Sequence, residues 1–89
     1  MGHFDGLDIE RIHELARAFD QKAEDIEVVL RQLHAGLRET AWIGPDRDRF
    51  EGEFDGSISP ELRHLERSLR DTATRLRQQA HRQEQASRF

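Results

Sequence analysis

The residues best suited to proton transfer or metal binding are five histidines, His3, His13, His34, His64 and His81. No two lie three or four apart, the spacing that lets one helix offer two imidazoles to one metal ion. They read as solvated surface histidines, with convergence across a folded chain left open. The 18 Asp and Glu residues fall beside arginines, on what read as polar helix faces. Two carboxylates sharing acid and base work need a cleft that separates their pKa values, and a narrow helical hairpin offers none. Four serines occur without a nucleophile elbow, and there is no phosphate-binding glycine loop or cofactor fingerprint. The absence of cysteine removes thiol chemistry, disulfides and cysteine zinc sites. The expectation is a protein that is no enzyme and carries no cofactor or metal.

A chain of 89 residues makes one domain and buries too little surface for a deep core. Without disulfides or a metal, a partner is the remaining source of stability. Charged residues make up 36% of the chain, and glycine and proline are scarce. The apolar residues recur at helical period, which argues for long solvated helices rather than disorder. Residues 1–60 hold 7 Lys/Arg against 14 Asp/Glu, and residues 61–89 hold 7 against 4. The first part is therefore at −7 and the second at +3, so arms laid side by side attract. Acids interrupt the basic part and no aromatic precedes Phe89, so no nucleic-acid partner is expected. No stretch nears the roughly 18 apolar residues of a membrane span. Polar faces mixing acids with bases also argue against stable membrane insertion. Met1-Gly2-His3-Phe4-Asp5-Gly6 lacks the basic-then-apolar order of a cleavable signal peptide. The expected product is made soluble in the cytoplasm.

Two arms must position whatever this chain presents. Asp8 is a candidate N-cap, with Glu10 in the first turn. Ile12, Leu15, Ala16, Phe19, Ala23, Ile26, Val29, Leu30, Leu33 and Leu37 then recur at spacings of three and four. Their stripe covers a, d and e heptad positions, more than one two-stranded seam needs. The spacing predicts a helix over about 8–40. Gly36 interrupts the stripe, either weakening the helix by about 1 kcal/mol or marking a close approach between helices.

Trp42-Ile43-Gly44-Pro45 sits near the middle and predicts a tight turn over 41–45. Asp46 and Asp48 suit the start of a second arm over about 46–86, with Phe50, Phe54 and Ile58 at intervals of four. Gly56 and Ser59-Pro60-Glu61 then predict a break or kink near 56–59, Ser59 acting as a fresh cap. Leu62, Leu65, Leu69, Ala73, Leu76 and Ala80 continue an apolar stripe. Residues 81–89 read as frayed. The fold class is all-α: a helix-turn-helix hairpin, dimerising into an antiparallel four-helix bundle. Its core and dimer candidates are Ile12, Leu15, Phe19, Ile26, Val29, Leu33, Leu37, Phe54, Leu62, Leu65, Leu69 and Leu76.

A single Trp-x-Gly at the midpoint, flanked by long helices in a chain of this length, resembles the WXG, or early-secreted-antigen-like, family of type VII secretion substrates. Phe50, eight positions after Trp42, lies where that family usually has an aromatic or apolar residue. The resemblance covers nearly the whole chain. It implies a dimer with itself or a similar WXG-type protein, recognition by the type VII secretion ATPase, and secretion without a cleavable signal. It also implies that Trp42, Gly44, Pro45 and Phe50 form a turn and recognition motif. Many members carry Tyr-x-x-x-Asp/Glu after the second helix, and this chain has no tyrosine. Either a partner supplies that signal or the tail is read differently.

Two readings of Trp42 stand side by side at this point: a plug over the hairpin end, or an exposed recognition element. Two functions follow. One is a small type VII substrate or secretion partner acting as a dimeric bundle. The alternative is an intracellular dimerising hairpin, an adaptor or chaperone-like module.

Overall fold

The structure, a computed structural model, describes residues 6–87 of the 89. Helix α1 spans Gly6–Glu39, α2 spans Pro45–Glu53, a π-helical turn spans Phe54–Ile58, and α3 spans Ser59–Ser87. No strand occurs among the described residues. The chain is a helical hairpin in which α3 runs back along α1. Its extents are 67 × 18 × 15 Å and its radius of gyration is 19.8 Å, where a compact chain of this length would have about 12 Å. Two helices side by side form a rod whose broad faces no further layer covers.

Asp8 lies inside the first turn of α1, where its charge favours the positive end of the helix dipole, so it is not the cap. The described part of the second arm stays helical to Ser87, through residues expected to fray. His3 and Phe89 lie outside the described residues.

The break near 56–59 takes a different form. Glu53, Phe54 and Ser59 all keep right-handed helical angles, and the Ser59 amide donates to the Phe54 carbonyl five residues back. In an α-helix the Pro60 ring would press on the Gly56 carbonyl, and its nitrogen could donate nothing. A widened turn just before it relieves that contact while the helix continues. Ser59 is buried within this run rather than starting a new helix.

The hairpin's own seam is made of small residues and ion pairs. On α1 the row facing α3 is Ile9, His13, Ala16, Asp20, Ala23, Glu27, Leu30, His34 and Leu37, alternating steps of four and three. Ala16, Ala23, Ala73 and Ala80 are fully buried, as are Leu30 and Ile9 nearly so. Arg77 pairs with Asp20, and Arg70 reaches Glu27 at 3.3 Å and Glu24 at 3.7 Å. The attraction between an acidic first arm and a basic second one is thus realised as contacts. Their register sets Ala16 near the level of Ala80 and Ala23 near that of Ala73. Arg70 also meets Glu66 at 3.3 Å. The hydrogen bond to Glu66, then the charges of Glu66, Glu27 and Glu24, raise its pKa further, so it stays charged.

A second row on α1 lies one residue step away: Ile12, Leu15, Phe19, Lys22, Ile26, Val29, Leu33, Gly36 and Thr40. It has the same alternating spacing and flanks the seam, with Leu15, Phe19 and Lys22 beside Leu69 of α3 and Leu33 and Gly36 in a hollow shared with Phe54 and Ile58. Leu15, Val29 and Leu33 are exposed, and Ile12, Phe19 and Ile26 are half-buried. The bulkier apolar side chains of α1 are therefore on the outside.

Candidate recognition site at the hairpin tip

The tip is shaped by a few local choices. Thr40 ends α1 by donating both its amide, at 3.0 Å, and its hydroxyl, at 2.6 Å, to the Gly36 carbonyl. Gly44 then turns the chain with φ 133° and ψ 178°, a region essentially closed to residues with a Cβ. Pro45 occupies the first turn of α2, with Asp46 and Asp48 beside it. Arg47 holds α2 against α1, donating to the Leu37 carbonyl at 3.2 Å and to Glu51 at 2.6 Å. Gly44→Val is expected to cost about 2 kcal/mol through its backbone angles, as measured by thermal unfolding at fixed protein concentration. Gly44→Ala should lose a similar amount, because the first added carbon is what the angles oppose. An unchanged melting temperature in both would mean that the turn relaxes freely.

These turns bring Trp42 to Phe50, with ring centroids 6.1 Å apart and planes tilted by 44°. Trp42 is 40% exposed, Phe50 41% and Ile43 94%. Behind them Phe54 is 2% exposed, and its ring meets that of His34 edge to face at 4.9 Å. A groove of about 340 Å³ opens between the arms, lined by Gln32, Leu33, Gly36, Leu37, Thr40, Trp42, Phe50, Phe54 and Ile58. It is largely apolar and open to solvent. A wider depression of about 510 Å³ lies along α3 at Thr74, Arg77, Gln78, His81 and Arg82, but its walls are polar side chains typical of a solvated surface.

The structure brings together Trp42, Gly44, Pro45 and Phe50, the four residues of the expected motif. Trp42 walls the groove with two-fifths of its surface exposed. Gly36 marks no close approach within the hairpin: an added Cβ there would meet nothing within 4 Å. It leaves a hollow in the groove instead. Of the core and dimer candidates, Phe54 is buried in the hairpin alone. Ile12, Phe19, Ile26, Leu37, Leu62, Leu69 and Leu76 are half-buried, while Leu15, Val29, Leu33 and Leu65 are exposed. Ile9, Ala16, Ala23, Leu30, Ala73, Ala80 and Ser59 are buried without having stood among those candidates. Ala16, Ala23, Leu30, Ala73 and Ala80 lie in the apolar stripes, Ser59 reads in the sequence as a cap, and Ile9 has only its heptad spacing as a signal.

The reading of all histidines as solvated needs correcting for His34, whose ring packs on Phe54, and for half-buried His13. His64 and His81 are exposed. Among the described residues no group of three or more His, Asp or Glu is placed to hold a metal ion. No helix among them is long and apolar enough to cross a membrane. No protein family, curated protein or solved structure matches this chain.

Proposed function

We propose that the protein is a small type VII secretion substrate or secretion partner, working without catalysis as one hairpin of a dimeric, antiparallel four-helix bundle. Its partners are a second copy or a similar WXG-type protein, and the type VII secretion ATPase. It is made in the cytoplasm and leaves the cell without a cleavable signal peptide. The observation that carries this reading is the placing of Trp42. The single Trp of the Trp-x-Gly turn stands two-fifths exposed at a hairpin tip, beside Phe50 and over an apolar groove. Exposed Trp is unfavourable in water and enriched at binding hot spots. The uncovered apolar face of α1 supports the pairing.

The test is to follow the protein in culture medium and in cells, with the export ATPase intact or deleted. A strictly cytoplasmic protein serves as the lysis control. The expected result is extracellular protein that disappears with the ATPase while the intracellular level holds. Equal retention inside the cell in both strains would leave the intracellular dimerising adaptor as the better account.

A further inference from the structure

We infer that the π-helical turn is a phase adaptor: one extra residue within 55–58 that lets the tip (α2) and the shaft (α3) of the second arm each turn its own row toward α1. Among residues 45–54, only Arg47, Glu51 and Phe54 are not exposed. Arg47 reaches the Leu37 carbonyl and Phe54 packs on His34, so this row faces α1. Beyond the turn, the row facing α1 starts at buried Ser59, passes Leu62, Glu66 and Leu69, and reaches the buried Ala73 and Ala80. Both rows alternate steps of four and three, but they are out of phase. Continued at helical spacing, the tip row would run through Ile58, Glu61, Leu65, Ser68 and Thr72, one residue behind the shaft row at every position. Ile58 is 39% exposed and Leu65 47%, whereas Ser59 is 5% exposed and Ala73 fully buried. One residue is about 100° of helix rotation, so a continuous α-helix could offer α1 only one of the two rows. The wide turn, in which the Ser59 amide donates to the Phe54 carbonyl five residues back, absorbs that residue and sets both rows on one side.

Pro60 favours a disturbed turn at this place, yet helices also accommodate proline by a kink that keeps the residue count. The phase of the two rows is what asks for a whole residue. Nothing packs against the widened turn: Asp55, Gly56 and Ser57 are exposed, and a Cβ added at Gly56 meets no atom within 4 Å. Both ends of the turn matter to the candidate site, because Phe54 and Ile58 line the groove beside Trp42. The groove therefore depends on the number of residues between Phe54 and Ser59 more than on their identity. This holds whether or not the chain is paired or exported.

Length and composition can be separated by experiment. A full-length chain carrying Gly56→Ala, Ser57→Ala and Pro60→Ala places good helix formers at three exposed positions of this segment. A second chain lacks Ser57 and is otherwise unchanged, which removes one residue from the count. Two readouts report on the tip. One is the nuclear Overhauser contact between the His34 and Phe54 rings, whose centroids are 4.9 Å apart. The other is the fluorescence of Trp42, the single tryptophan of the chain. The triple variant should keep the ring contact, the emission maximum and a melting temperature no lower than that of the original chain. The chain lacking Ser57 should keep one row and lose the other. Because the α1–α3 seam is far longer than the tip contact, the tip is expected to yield, with loss of the ring contact and a red shift of Trp42 emission. Retained ring contact with a lowered melting temperature would mean that the shaft yields instead, which the adaptor equally requires. Failure of this chain to fold beside a folded triple variant also supports the adaptor. A deleted chain that keeps both the ring contact and the original melting temperature overturns it. So does a triple variant that loses the ring contact, folded or not.

Discussion

A chain carrying Trp42→Ala is expected to remain folded and paired, yet to fall at least about tenfold in the medium. Removing a fully buried aromatic side chain costs about 3–5 kcal/mol. Trp42 already leaves two-fifths of its surface in water and has Phe50 as a ring neighbour 6.1 Å away. A loss of about 1–2 kcal/mol is therefore expected in thermal unfolding at fixed concentration. If export depends on the exposed indole, that modest loss accompanies a large fall in the extracellular fraction. A loss of several kcal/mol would make the residue a structural plug. Normal export of the folded variant would falsify the recognition role.

Phe54→Ala should do the opposite, harming the fold wherever the protein resides. Among the described residues Phe54 is the largest fully buried side chain. It packs on His34 at 83° and opens the π-helical turn. Its truncation should cost about 3–4 kcal/mol, much of the 5–15 kcal/mol that stabilises an ordinary domain. In a chain of this length that corresponds to a fall in Tm on the order of 15–25 °C, readable by circular dichroism. Phe54→Leu should recover most of it. A drop of only a few degrees for Phe54→Ala would show that the tip is held by Arg47 and the turn backbone instead.

The helices and the turn between them were legible because their signals are local. Apolar spacing of three and four defines α1, and Gly44 with Pro45 fixes where the chain reverses. The meeting of Trp42 with Phe50 is likewise local, because the two residues flank the turn and a few residues of chain bring them together. The form of the second arm near Pro60 was not. The start signal at Ser59-Pro60-Glu61 is genuine as a propensity, but a helix already propagating from Pro45 absorbs the proline by widening one turn. His34 meeting Phe54 depends on how two distant helix segments are set, so no spacing could show it.

Which α1 row would face α3 was also hidden. Both rows have heptad spacing, and the outer one holds more apolar bulk. The inner row is selected by alanines on both helices, whose smallness lets the backbones close in, and by ion pairs whose register exists only in three dimensions. Alanine reads as a neutral helix former in sequence, so its burial at Ala16, Ala23, Ala73 and Ala80 carries little advance signal.

The one-residue offset between the two rows bears on how α1 chooses its orientation. Turning α1 about its own axis by about 100° would present Leu15, Phe19, Ile26, Val29 and Leu33 to α3, a greasier contact than the present one. That rotation would carry Asp20 away from Arg77 and Glu27 away from Arg70. The cross-arm charges therefore act as a rotational lock. Half-exposed pairs of this kind add little to the depth of the native well, but here they decide which of two nearly equivalent faces the hairpin keeps inside and which it leaves exposed.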